Sequence, residues 1–134
     1  MSKIKILIPV YNDWQSVFKL LKNIELQICN LNHEISILII NDASTENRPN
    51  EKFILTNITS IKIINMRKNR GHARCNAAGL KYINEKEEFN YVIPMDGDGE
   101  DRPEELRLLI EKIKEYPDTV ITAERVKRSE GFIF

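Results

Sequence analysis

Four acids fall within six residues at Asp96-Gly97-Asp98-Gly99-Glu100-Asp101, directly after the apolar run Tyr91-Val92-Ile93-Pro94-Met95. Carboxylates crowded at the end of a buried strand repel one another, and packing gives no reason to place them there. A divalent cation gives one, because hard oxygen ligands on a short turn suit Mg²⁺ or Mn²⁺. The intervening glycines let the backbone bend and a bulky ligand approach. In an extended turn alternate side chains face the same way, so Asp98 and Glu100 can share one ion while Asp96 points to a neighbouring hydroxyl. A cation held there would bridge a diphosphate and stabilise charge on a leaving phosphate. The alternative is a solvated acidic turn in which Asp101 caps the helix opened by Pro103. The position after a buried strand favours the metal.

Other polar residues have chemistry available to them. Asp42 can accept a hydrogen bond from a nucleobase N–H or a ribose hydroxyl, or it can cap the next segment together with Ser44. Tyr11 can stack on a base or pack over a sheet edge. Arg67, Lys68, Arg70 and Arg74 surround a helix start, where a diphosphate is welcome, although single basic residues there are more often solvated. His72 can contact phosphate, but capping the helix is the simpler role. Cys75 is expected to pack inward. The chain contains no Walker A loop, no G-x-G-x-x-G fingerprint and no G-x-S-x-G elbow.

These residues need elements to position them. Ile4 to Val10 reads as a strand, mostly apolar and so buried on both faces. Tyr11-Asn12-Asp13 breaks it. Asp13 caps a helix through about Ile28, with Val17, Leu20, Leu21, Ile24 and Ile28 on one stripe. Ile35 to Ile40 is a second strand, closed by Asn41-Asp42-Ala43-Ser44. A polar connection from Thr45 to Asn57 has room for a short helix near Glu51 to Leu55. Ile61 to Met66 is a third strand, followed by a helix from about His72 to Asn84. Tyr91 to Met95 is a fourth, and Pro103 starts a helix to about Tyr116 with Leu106, Leu109, Ile110 and Ile113 on its apolar face. Thr119 to Thr122 reads as a short fifth strand, and the tail 123–134 is basic, then apolar.

Strands alternating with helices specify an α/β fold with a mostly parallel sheet and right-handed crossovers. Ligands of such sheets bind beyond the carboxyl ends of the strands. Four polar turns converge there.

The chain has 134 residues, one domain's worth, with 20 basic and 20 acidic side chains. That balance gives no electrostatic case for a nucleic-acid partner. Cys29 and Cys75 show neither metal spacing nor a disulfide framework, so a reduced, cytoplasmic setting is expected. Lys3 to Val10 is too short for a signal peptide, and no apolar stretch approaches the ~20 residues of a membrane span.

Taken together, Pro9-Val10-Tyr11-Asn12, Asn41-Asp42-Ala43-Ser44, Asn69-Arg70-Gly71-His72 and Asp96 to Glu104 resemble family 2 glycosyltransferases of the GT-A, Rossmann-like fold. The last motif most resembles the branch of polyprenyl- and dolichyl-phosphate sugar synthases. The resemblance spans nearly the whole chain, and four motifs in order are more specific than any one. It implies a UDP- or GDP-linked sugar donor and Mg²⁺ or Mn²⁺. By position, Pro9 and Tyr11 would line the base pocket and Asp42 would hydrogen-bond the base. Arg70 would lie near the nucleotide. Asp96 would reach the ribose or the sugar side and also stand among the metal ligands. Asp98 would be the main metal ligand, with Glu100 the second. Asn41 departs from the acid many members carry at that place, which bears on base preference.

Family members continue well past the metal motif, and that later part supplies the acceptor pocket and, in inverting members, the catalytic base. The expectation is therefore that 1–122 is the nucleotide-sugar-binding part of a GT-A domain and that 123–134 begins a disordered, acceptor- or membrane-proximal region. The catalytic base is not assigned in this chain. The tail carries Arg125, Lys127 and Arg128 before Phe132 and Phe134, a pattern suited to a membrane interface or simply to a frayed end. The implied acceptor is a polyprenyl phosphate or a sugar hydroxyl, at the inner face of a membrane in the first case. A sheet edge left exposed by truncation would call for a partner chain, a second copy included.

Two other classes are considered. One is a nucleotide-sugar-binding fragment without catalysis. The other is a phospho-receiver domain, disfavoured because the strand Ile61 to Met66 runs into Arg67-Lys68 and offers no Asp to phosphorylate.

Overall fold

The computed structural model describes residues 2–97 and 103–115. Four strands and three helices follow in the order β1 (Lys3–Val10), α1 (Trp14–Gln27), β2 (Glu34–Asn41), β3 (Ile58–Asn65), α2 (His72–Lys86), β4 (Tyr91–Pro94) and α3 (Pro103–Glu115), with no helix between β2 and β3. All strand pairs are parallel, in the order β3-β2-β1-β4. The chain runs outward from β1 to β3, and α2 then carries it back across the sheet to the other side of β1. The strand order thus reverses at the β1–β4 boundary.

Period-2 alternation sorts the side chains to two faces. Ile4, Ile6 and Ile8 of β1 join Ile35, Ile37 and Ile39 of β2 under α1 and α3. Leu7, Leu38 and Ile40 face the other way, against Cys75 and Ile83 of α2. β1 is buried on both faces, as its composition predicts. The expected stripe of α1 is buried in full, and so are Leu106, Ile110 and Ile113 of α3, with Leu109 half-buried. Asp13 caps α1 by accepting the Ser16 N–H at 3.4 Å. Arg107 of α3 donates from Nη1 to the carbonyls of Gln27 and Cys29, at 2.9 and 2.7 Å. A guanidinium at these carbonyls suits the negative end of α1 and fixes α3 against it.

Three expectations change. The strand before the acids, read as buried, is an edge strand of the described sheet, with Tyr91 to Ile93 half-buried and Pro94 exposed, so burial of that strand gives the metal reading no support. No helix forms near Glu51 to Leu55. That segment is held over α1 by side chains instead. The Phe53 ring meets Phe18 edge-on at 5.0 Å, and Lys22 pairs with Glu51 at 3.1 Å. The third strand begins earlier than predicted, at Ile58, because Glu25 of α1 accepts the N–H groups of Thr56, Asn57 and Ile58 at 2.8–3.0 Å. The fifth strand and the tail expected beyond it lie outside the described residues. Among those described, no helix is long and apolar enough to cross a membrane.

Candidate functional site

β1 ends in Pro9-Val10 and leads through Tyr11 and Asn12 to the cap of α1. The Asp42 N–H donates to the Val10 carbonyl at 2.8 Å, which sets the turn after β2 beside the turn after β1. On the other side of β1, the Met95 N–H donates to the Leu7 carbonyl at 2.9 Å and aims the turn after β4 at the same edge. An open cleft of about 50 Å³ lies there, lined by Pro9, Val10, Tyr11, Asp13, Val17, His72 and Gly97. It sits where the strand order reverses, the usual ligand position in an open parallel sheet. Tyr11 is 42% exposed.

Asp42 is only 2% exposed. Its Oδ1 accepts the Arg70 N–H at 2.7 Å and its Oδ2 accepts the Gly71 N–H at 2.9 Å. Burial would raise its carboxyl, but these two bonds, the Cys75 thiol and the nearby His72 bring it below the ordinary carboxylate value. Burial first, and then the Asp42 carboxylate, push the Cys75 thiol up to about 12. Asp42 thus holds the turn into α2 and does not cap the segment after β2 with Ser44, whose N–H is accepted by Asn41. Any nucleobase contact must use a lone pair those bonds leave over. The same bonds mean that the N–H groups of Arg70 and Gly71, at the helix start where a diphosphate was expected, already face a carboxylate.

Arg70, Arg67, Lys68 and Arg74 are all exposed. Gly71, at φ +90°, is the residue before α2 and gives that helix no side-chain cap. His72 does not cap α2 either. It lines the cleft, with Nδ1 3.8 Å from Oδ1 of Asp96. Asp96 is half-buried at the end of β4, so one of the three expected metal ligands reaches the predicted edge. Asp98 and Glu100 lie outside the described residues. Among those described, no group of three or more His, Cys, Asp and Glu side chains is placed to hold a metal.

Gly97 has a role that the sequence pattern does not show. A Cβ there would lie 2.6 Å from Val17 Cγ2 and 3.3 Å from Ile8 Cγ2. A glycine at 97 is therefore required by its own close packing onto α1 and β1.

Asn12 was not singled out from the sequence for any role of its own. It adopts φ +61°, its Oδ1 accepts the N–H groups of Thr45 and Glu46 at 2.8 and 2.9 Å, and its own N–H donates to Ser44 Oγ at 2.9 Å. Asn41 holds the same turn from below, accepting the Ser44 N–H at 3.1 Å and donating to Asn65 at 2.9 Å. The one available signal was an Asn directly after a strand break, a residue type that tolerates left-handed backbone.

Residues 5–133 match the sequence model of the family described as Glycosyl transferase family 2. The fold is similar to the crystal structure of S. aureus TarS 1-349, with TM-score 0.60 and 21% identity over 84% of this chain and 32% of that one. A second crystal structure of S. aureus TarS matches with TM-score 0.54 and 17% identity over 91% of this chain and 20% of that one. The chain thus spans about a third and a fifth of the structures it resembles, and the likeness is one of fold. A parallel, helix-flanked sheet is the core of the expected GT-A, Rossmann-like fold, and the match over nearly the whole sequence makes this chain a member of glycosyl transferase family 2.

Proposed function

We propose that the chain is the donor-binding part of a glycosyltransferase that takes a sugar from a nucleoside diphosphate. The observation that carries the reading is the cleft at the β1–β4 reversal, with Tyr11 on one wall and His72 and Gly97 beside the carboxylate of Asp96. The cleft is far smaller than the few hundred Å³ of a typical ligand pocket, so these residues supply only part of the donor site.

Tyr11 stacks on the base, with Pro9 beneath it. Asp42 fixes the turn before α2 and, through a remaining lone pair, accepts an N–H of the base. Arg70, exposed on that turn, faces the nucleotide. Asp96 is an oxygen donor at an open sheet edge, which suits a hard cation, and Asp98 and Glu100 complete the proposed ligand set. Mg²⁺ or Mn²⁺ bound there would stabilise charge on the departing diphosphate. The reaction is displacement at the anomeric carbon by an acceptor oxygen. A polyprenyl phosphate at a membrane surface is the finer acceptor reading, supported by the sequence from Asp96 to Glu104 and by the basic and aromatic tail.

Calorimetric titration of UDP and GDP in Mn²⁺, repeated in EDTA, tests the donor reading. Binding of one nucleotide, lost on chelation, is expected. Binding of neither by a folded sample overturns it.

A further inference from the structure

Two non-glycine residues on neighbouring strand-end turns adopt left-handed backbone, Asn12 at φ +61° and Ala43 at φ +57°. Such conformations are costly and persist where surrounding bonds over-determine them. Here one side chain supplies most of those bonds. Asn12 Oδ1 accepts from Thr45 N at 2.8 Å and Glu46 N at 2.9 Å, and Nδ2 donates to Thr45 Oγ1 at 3.0 Å. The Asn12 N–H donates to Ser44 Oγ at 2.9 Å. Asn12 follows Tyr11 directly, and Ser44 to Glu46 follow Asp42 within four positions. Asp42 is anchored from the far side by the N–H groups of Arg70 and Gly71. Hydrogen bonds from the start of α2 to Asp42, the covalent turn 42–46, and hydrogen bonds from that turn to Asn12 therefore link α2 to the backbone that carries Tyr11.

From this clamp we infer that Asn12 is a positioning residue for nucleobase selection. With the Asp42 N–H already bound to the Val10 carbonyl, it holds the Tyr11 backbone at a set offset from the Asp42 turn without touching the nucleotide. A pyrimidine and a purine differ in width, so a fixed separation between a stacking wall and a hydrogen-bonding wall favours one of them. A clamp that slackens loses this discrimination before it loses stacking. The inference rests on the donor reading above.

The test compares Asn12→Gly, Asn12→Asp and the unaltered chain. Glycine accepts the left-handed backbone, so Asn12→Gly removes the clamp with little backbone strain. Aspartate keeps the acceptor for the two N–H groups. UDP and GDP affinities are measured in Mn²⁺, with amide hydrogen exchange at Thr45 and Glu46. Asn12→Gly is expected to weaken the preferred nucleotide about tenfold and to narrow the UDP-to-GDP ratio, with faster exchange at both amides. Asn12→Asp is expected to restore most of both. An unchanged ratio, whether affinities hold or fall together, overturns the inference. If Asn12→Gly does not fold, Thr45→Ala, which removes only the hydroxyl partner, must narrow the ratio in the same direction. Failure of the unaltered chain to bind either nucleotide overturns the donor reading, and this inference with it. Binding by the unaltered chain with an intact ratio in the variants overturns the inference alone.

Discussion

Asp42 accepts the Gly71 N–H at 2.9 Å with one oxygen and the Arg70 N–H at 2.7 Å with the other. The end of β2 is therefore joined to the start of α2 by a nearly fully buried carboxylate. In Asp42→Asn the amide turns a donor toward one of these N–H groups. A loss of about 1–3 kcal/mol is expected for a buried donor left unmatched. Urea unfolding measures it, and an unchanged midpoint would show that the turn holds without the carboxylate.

The same pair carries a pH dependence. The folded carboxyl of Asp42 lies below its ordinary value, so folding favours the ionised form. Its contribution is complete above the unfolded value of about 3.9 and is lost as pH falls through the lower folded value. The gap in urea midpoint between the unaltered chain and Asp42→Asn should stay level near neutral pH and shrink in acid. A gap that widens in acid would contradict this.

Gly97→Ala tests the close packing at the end of β4. The added methyl meets Val17, a buried, β-branched side chain with little freedom to move. Overpacking of this kind costs about 1–3 kcal/mol. Adding Val17→Ala to Gly97→Ala should recover part of the loss in a double-mutant cycle, and strict additivity would place the strain elsewhere.

The two thiols should separate cleanly. Cys75 is buried and pushed up to about 12, whereas Cys29 is exposed. A thiol reagent at pH 8 should modify one cysteine in the folded chain and both in denaturant. Rapid modification of both in native buffer would mean that the contact between Cys75 and Asp42 is open in solution.

Far from the cleft, Glu25 offers a control. Its carboxylate holds the N–H groups leading into β3. Glu25→Gln should lower stability by about 1–3 kcal/mol, speed exchange at Asn57 and Ile58, and leave nucleotide affinity alone. A fall in affinity comparable to that of a cleft variant would remove the distinction between edge and remainder.

The sheet was legible because its signals are local. Ile4 to Val10 and Ile35 to Ile40 are apolar without alternation, which only a strand covered on both faces explains. Asp13 and Pro103 mark helix starts through capping and fixed φ. The start of β3 was not legible, because its first N–H groups are claimed by Glu25, more than thirty positions earlier in the chain. The same holds at the site. Clustering of acids, a Tyr after a strand and a carboxylate after the next pointed to the edge where the cleft opens. The partners of Asp42 and of Asn12 are some thirty positions away, and the need for a glycine at 97 comes from Val17. Periodicity and spacing cannot report contacts that only the folded chain creates.

In the proposed function, the carboxyl edge of β1, β2 and β4 receives a nucleotide. Amide chemical shifts of the labelled chain, recorded as UDP or GDP is added with Mg²⁺, test it most directly. Shifts are expected only at Tyr11, Asn12, Asp42 to Glu46, Arg70 to His72, and Asp96 and Gly97, with Lys3, Glu87 and Glu88 at the opposite end unmoved. Shifts centred on that opposite end, or none with either nucleotide, would contradict it.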